Sequence, residues 1–478
     1  MKRVLVIAAA EWRYWLRSRL VLGGALLIAA LLMATTVLTT LRMQGETAER
    51  TQYQSKAETA FLSQPDRHPH RMVHYGHYVF RTPAPLALFD PGLDPVTGQS
   101  IFLEGHRQNT AMFAASGASA DLDGLSLLSP AMVYQLFAPL LVILLGHGLV
   151  AREREAATLA TLLAQGTPGR VVLAGKALAL LSIMVVLLIP LGLGAGFAVL
   201  KGEQLLAAGA LMIAYLLYLV IWGALALLAS ALIRNRAAVL ATLATLWIAL
   251  TLVLPAVAVS SAANTAPMAG KLEDDLAMLT ELRKLGDGHN ANDPAFAQLR
   301  ADLLAKYGVQ RVEDLPVNLR GVVAQFSETK LTAALNAYAK ARMAAETRQA
   351  AALSVFGWVT PTLALSEASR AVSATDLAHH HRFLLEAENL RYAFVQSLNQ
   401  IHAQKLAYAD DIRRSGDPAA ERRTRVDAAN WQLLDRFRFQ PDAAETRIKQ
   451  ARPQLLMLGV WSVLLMVAGF WLGGRLKP

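Results

Sequence analysis

The 478-residue chain contains no cysteine. Disulfides, thiolate metal ligands and a cysteine nucleophile are excluded at once, and the redox character of the compartment leaves no trace in the sequence. Charge is missing from long stretches as well: residues 20–41, 131–150, 177–200, 205–233, 237–266 and 453–474 hold no Lys, Arg, Asp or Glu. A charge at mid-bilayer costs about 2.5 to 3.5 kcal/mol on insertion scales, so clean intervals of about 20 residues predict membrane spans and exclude an ordinary soluble protein.

A phosphate-binding loop is also missing. Residues Gly169 to Lys176 come closest, but five residues separate Gly169 from Gly175 and Ala177 stands where a Ser or Thr would hold magnesium. No Ser, His and Asp set sits in a nucleophile elbow, and no HExxH or paired-carboxylate context occurs. Asp90, Asp94 and Glu104 read as turn or solvated loop groups. The chain is expected not to be an enzyme and to hold no cofactor of its own.

What is present is 54% hydrophobic residues, 17% charged residues and a net charge of +10, with a mean hydropathy of +0.34. That balance implies a membrane protein with part of its mass in water. The basic residues gather at span ends, which reads as membrane anchoring; no nucleic-acid motif accompanies them.

Taken in order, residues 1–19 form a basic amphipathic helix with Trp12, Tyr14 and Trp15 near its apolar face, suited to the headgroup level. Residues 20–41 are a first span, 42–129 a Pro-punctuated outer insert, 130–150 a second span and 151–176 a charged segment. A kink is expected at Pro139 in the second span, and the third to fifth spans fall within 177–266, with a distorted outer half of the third at Pro190 and a break in the fifth at Pro255. A second insert, 267–452, is mostly helical by its apolar spacing over Glu273–Lys284, Pro294–Tyr307, Val317–Arg348, Asp376–Tyr408 and Ala419–Phe437. Residues 354–365 are too short to span and are expected on the membrane surface or in that domain's core. A sixth span, 453–474, and a tail, 475–478, complete the chain. The fold class expected is an α-helical polytopic membrane protein. Lys and Arg near the span ends put both termini and residues 151–176 in the cytoplasm.

The segment Ala151 to Lys176, AREREAATLATLLAQGTPGRVVLAGK, carries the sharpest signal. Acidic Glu153 and Glu155 precede Thr158 and a leucine run at Leu159, Leu162 and Leu163; Pro168 makes a turn, Arg170 follows, and Gly175 with Lys176 lead into the next span. This string resembles the coupling segment of ABC type 2 exporter permeases, with one departure, Ala157, where that family often has Gly. The insert strings HYGHYVFRTPAPLALFDPG, TGQSIFLEGHRQN and TPTLALSEASRAVSATDLAHHHRFLLEAENLR resemble a subgroup of those permeases with two large periplasmic inserts.

The resemblance covers nearly the whole chain. It implies a type 2 ABC exporter fold in a bacterial inner membrane, pairing with a second permease copy or a related permease, and ATP and magnesium bound by a separate cytoplasmic ATPase. It also implies ATPase-coupling roles for Glu153, Glu155, Thr158, Leu159 and Arg170, and it implies no substrate. A mechanotransmitting scaffold acting on a periplasmic or outer-membrane partner remains the alternative, motivated by the size of the second insert.

Histidines gather in the inserts: His68, His70, His74, His77 and His106 in the first, His379, His380 and His381 in the second. His74, His77, His106, His379 and His381 are the candidate metal or substrate ligands, and a copper-related maturation transporter is a third reading. Their spacing fits no compact zinc motif. His147, near the end of the second span, is a candidate for proton relay or cargo contact.

Overall fold

Helix forms wherever the charge-free runs fall, because a backbone in lipid has to satisfy its own hydrogen bonds. The computed structural model describes residues 1–112, 128–432 and 437–477. Residues 113–127 of the first insert, 433–436 of the expected helix Ala419–Phe437, and Pro478 of the tail lie outside the described residues. Among the described residues, six helices are long and apolar enough to cross a membrane: Val21–Leu62, Pro130–Glu155, Gly169–Leu187, Leu205–Leu232, Arg236–Thr265 and Ala444–Gly473.

Several boundaries differ from those expected. The helix of the first span runs unbroken from Arg19 to Leu62, so residues 42–62 extend the span instead of opening the insert. Their Ala, Glu, Gln, Lys and Arg are good helix formers with no Pro among them, and the helix ends only at Ser63, two residues before Pro65. The third helix starts at Gly169, not Ala177, because Lys176 is completely buried by ion pairing and needs no contact with water. It breaks at Leu188, and Pro190 sits in the first turn of the following helix, Ile189–Leu200. The sixth helix begins at Ala444, with Pro453 in its interior.

Pro139 and Pro255 are each preceded by one wide turn of π-helix, at Val133–Phe137 and Ala249–Val253. The extra residue accommodates the ring and the missing N–H without ending the helix. At the core lies Leu205–Leu232, where Tyr215, Tyr218 and Trp222 are buried.

The two inserts fold into one another. Phe61 near the end of the first long helix and Met72, Val79 and Ile101 from the first insert share a buried apolar cluster with Phe383, Phe394, Leu398 and Trp431 from the second. The first contributes an antiparallel hairpin, His77–Phe80 against Ser100–Leu103, paired from His77↔Leu103 to Phe80↔Ser100. The second contributes helices Lys271–Leu282, Ala297–Tyr307, Leu319–Ser354 and Leu377–Lys405. Among the described residues, the helix expected over Ala419–Phe437 is reduced to Pro418–Arg423 and one 3-10 turn, Ala428–Trp431, because the chain between them is drawn extended when Val426 N–H donates to Arg67 C=O at 3.0 Å.

Of residues 354–365, Val355–Trp358 is a 3-10 turn with Val355 and Trp358 exposed, while the remainder from Pro361 opens a helix, Pro361–Val372, that lies outside the insert's core. It packs against the fourth and sixth spans, with Ala364, Leu365, Ala368 and Val372 in the same buried cluster as the spans themselves. Its polar side chains explain how it gets there: Tyr218 Oη lies 3.0 Å from Thr362 Oγ1, Tyr215 Oη lies 3.0 Å from Ser369 Oγ, and Thr360 Oγ1 donates to Leu250 C=O at 2.7 Å.

Candidate functional site: the segment between the second and third spans

Ala151–Glu155 ends the second span as a short helix, and a second one, Thr158–Ala164, follows. The joint is Ala157, whose φ of 55° lies in the left-handed region. That is the position where glycine would be free of the Cβ clash. Gly166, with φ 74°, makes the next turn, and Pro168 caps the helix that starts at Gly169.

Charges lock this segment to its neighbours. Lys176 Nζ lies 2.7 Å from Glu11 Oε1 and 2.7 Å from Glu153 Oε1, and Arg152 Nη2 donates to both Glu11 oxygens at 3.0 and 2.9 Å. The Arg152 guanidinium also lies over the Tyr14 ring, 3.6 Å from its centroid. Two carboxylates therefore share two cations, and no charge in the set is left alone in the interior, where a lone charge is costly. Ser230 Oγ accepts from the N–H groups of Val150 and Ala151 at 2.9 and 3.1 Å, tying the second span to the fourth. Arg154 donates to the carbonyls of Ala231 and Lys477, at 2.9 and 3.3 Å, and Arg3 to that of Gly166 at 3.0 Å.

The five coupling candidates thus have definite places. Glu153 points inward to Lys176, and Glu155 accepts from the backbone N–H of Arg236 at 2.8 Å and pairs with its guanidinium at 3.3 Å. Leu159 is completely buried. Exposed Thr158 donates to Glu153 C=O at 3.2 Å, and the Arg170 guanidinium stacks 4.3 Å above the Phe470 ring. Residues 155–158, Thr161, 164–166 and Arg170 form the outward face. Glu11 is the partner that motif reading missed; as the lone acid of a strongly basic amphipathic helix, beside Trp12 and Trp15, it carried a signal of its own. Gly175 permits the close contact on which this depends, since a Cβ there would stand 2.6 Å from Ile7 Cβ.

The amino-terminal helix is consequently packed on protein. Trp12 Nε1 donates to Ser182 Oγ at 2.7 Å and Trp15 Nε1 to Leu145 C=O at 3.3 Å. His147 bonds through Nδ1 to Leu144 C=O at 2.9 Å.

At the opposite end of the spans a cleft of about 820 Å³ opens between the first span, the turn after the third and the start of the sixth. Thr40, Met43 and Phe197 line it, with the buried ion pair of Glu203 and Arg447 in its wall.

Of the candidate histidines, His74 and His106 come together with His70 and His289. The others go elsewhere: buried His77 packs on Phe61 at 5.0 Å between ring centroids, His379 lies between Asp376 and Asp442 at 2.6 and 3.2 Å, and His381 bonds Glu346 at 2.7 Å. A second group, His68, His402 and Asp411, is fully buried, with Asp411 accepting from both imidazoles at 3.1 and 2.8 Å. Burial holds the His68 imidazole down to about 4. Burial alone would raise the Asp411 carboxyl, but the hydrogen bonds from His402 and His68 outweigh it and keep it well below the ordinary range.

Six apolar helices among the described residues, a charged segment clasped between two of them and a further domain built from two inserts fit a multi-pass membrane permease. A family model described as "ABC-2 family transporter protein" matches residues 5–305, more than half of the chain, and a "Domain of unknown function (DUF3526)" model matches residues 275–440. The chain belongs to the ABC-2 transporter family: it is a membrane permease subunit of an ABC transporter, and that family implies association with an ATPase subunit. No curated protein matches it.

Proposed function

We propose that the chain is the permease of an exporter, with the ATPase docking in the cytoplasm on the outward face of residues 155–170. The observation that carries this reading is the clasp beneath that face. Glu11, Arg152, Glu153 and Lys176 bind the amino-terminal helix and the second and third spans into one unit, and Glu155 adds the fifth through Arg236. A push on the segment therefore moves several spans together, and ATP binding supplies the free-energy difference between the two states. ATP and magnesium belong to the partner. The exposed apolar faces of the first, fifth and sixth spans meet lipid or a second permease copy. The outer cleft beside Glu203 and Arg447 is the place assigned to cargo, released toward the periplasm.

A mechanotransmitting role is favoured by one specific observation. Pro361–Val372 belongs to the second insert yet is held by Tyr215 and Tyr218 among the spans, so span movement is delivered directly to the outer domain. In that reading a periplasmic or outer-membrane partner receives the motion and no cargo passes.

The test is affinity purification from native membranes in mild detergent, with mass-spectrometric identification of what is retained. Recovery of a Walker A ATPase with the wild type, and its loss with Thr161→Trp on the outward face, supports the docking reading. A Thr161→Trp protein that keeps the ATPase and its stimulated turnover overturns it.

A further inference from the structure

The four histidines of the outer domain are arranged as a tetrahedron. The six distances between the ring centroids of His70, His74, His106 and His289 are 4.7, 5.7, 5.1, 5.1, 5.4 and 4.9 Å. Four imidazoles bound through one nitrogen each to a tetrahedral ion, at about 2.0 to 2.1 Å, would place their centroids about 5 Å apart and the ligating nitrogens about 3.3 Å apart. The observed Nε2 separations are 3.2 Å from His74 to His70 and 3.3 Å from His74 to His289. One ring nitrogen from each of the four lies within 4.8 Å of the others.

The outer nitrogens determine which atoms face inward. His106 Nδ1 lies 2.8 Å from Glu328 Oε2, and His289 Nδ1 lies 3.0 Å from Asp287 Oδ1. An imidazole that donates Nδ1–H to a carboxylate presents a lone pair at Nε2, the tautomer seen in carboxylate–histidine–metal triads. His74 Nε2 lies within hydrogen-bond distance of two further ring nitrogens, His70 Nε2 and His289 Nε2. Among the described residues, the buried His106 Nε2 has no hydrogen-bond partner. His106 also holds φ at 63°, a left-handed backbone that non-glycine residues adopt at a cost and that concentrates at functional sites.

We propose that His70, His74, His106 and His289 form a binding site for one divalent transition ion, of the zinc(II) or copper(II) type, that closes the seam between the two inserts. The donor set is all imidazole, which suits zinc and copper and not calcium or magnesium. Three ligands come from the first insert and His289 from the second. The Glu328 carboxylate behind His106 is itself fixed by Arg391 at 2.7 Å. His74 and His289 are exposed and give the ion its entry. The buried group of His68, His402 and Asp411 makes a poorer site, because Arg320 and Arg414 at 3.6 and 3.0 Å already balance its carboxylate.

The experiment uses the full-length protein in detergent, purified without a polyhistidine tag and stripped with a chelator. It is titrated with zinc(II) and, separately, copper(II), with elemental analysis after desalting. The result expected is one ion per chain with a Kd below about 1 μM, and a rise in unfolding temperature on binding. His289→Ala, on an exposed loop, should lose the ion while remaining folded, and Asp287→Asn should weaken binding by about 10 to 100-fold without removing a ligand. Absence of binding tighter than about 10 μM for either ion overturns the proposal, as does an ion retained undiminished by His289→Ala.

Discussion

Lys176, completely buried, sits 2.7 Å from a carboxylate oxygen of Glu11, a residue 165 positions earlier that is itself only 2% exposed. The pair joins the amino-terminal helix to the third span. Removing Lys176 leaves the carboxylates of Glu11 and Glu153 with Arg152 as the one remaining cation of the set, and breaking a buried ion pair usually costs about 3 to 5 kcal/mol. Lys176→Met is therefore expected to lower the unfolding temperature strongly. Glu11→Leu combined with Lys176→Met should be milder than the sum of the single changes, as measured by thermal unfolding in one detergent.

Ala157→Gly should stabilise the protein. A left-handed alanine costs roughly 1 to 2 kcal/mol relative to an unstrained backbone, and glycine relieves it, less the greater flexibility that glycine adds to the unfolded chain. A net gain of about 0.5 to 1 kcal/mol is expected, read as a raised unfolding temperature. An unchanged or lowered temperature would show that the turn carries no strain.

Acid should loosen the outer domain. Burial keeps His68 and His380 down to about 4, while in the unfolded chain they titrate near about 6.5. As pH falls through about 6.5 the unfolded state takes up protons that the folded state refuses, so stability declines toward pH 4, by about 1 to 2 kcal/mol per histidine at pH 5. Asp411 and Glu328, both held below the ordinary carboxylate range, add a further loss at lower pH. Unfolding temperatures between pH 7.5 and 5, measured with chelator present, should fall steadily, and His380→Gln should flatten the slope.

Tyr218→Phe removes hydroxyl contacts with Thr362 Oγ1 and with Gln135 C=O, to which it donates at 2.7 Å. The expected loss is about 1 to 3 kcal/mol because buried partners are left unmet. If the insert helix carries span motion outward, this variant keeps its ATPase but shows reduced stimulation. Equal stimulation in variant and wild type would show that the motion does not pass this way.

The lack of cysteine makes single-site labelling direct. Thr161→Cys should react with an impermeant maleimide only from the cytoplasmic side, and Asp287→Cys only from the outside. Labelling of both from one side would overturn the proposed topology.

The spans were legible because a chain that folds in water rarely goes the thickness of a bilayer without a charged residue. Their ends were not, since a buried Lys176 and a solvated one look alike until Glu11 is known to lie beside it. Pro361–Val372 was hidden for the opposite reason: Ser366, Glu367, Ser369 and Arg370 lower its hydropathy, while the tyrosines that admit it belong to another helix. The acidic pair of residues 151–176 was readable as a motif, but its inward orientation depends on cations far away in the chain. Among the histidines, local density drew notice to His379 and His381, whereas the tetrad needed His289, separated from His106 by a span-rich half of the molecule.

The unbroken helix from Arg19 to Leu62 has 44 residues, which at 1.5 Å each is about 66 Å, roughly twice the thickness of a hydrocarbon core. Its foot is next to the clasp that holds Glu11, and its tip plants Phe61 in the apolar centre of the outer domain. A stiff rod of that length is a lever: a rock of about 5° around its middle carries the Phe61 end through about 3 Å, a distance on the scale of a hydrogen bond. The same tilt carries the foot through an equal distance in the opposite direction, so the Phe61 contacts and the clasp beside Glu11 are displaced together.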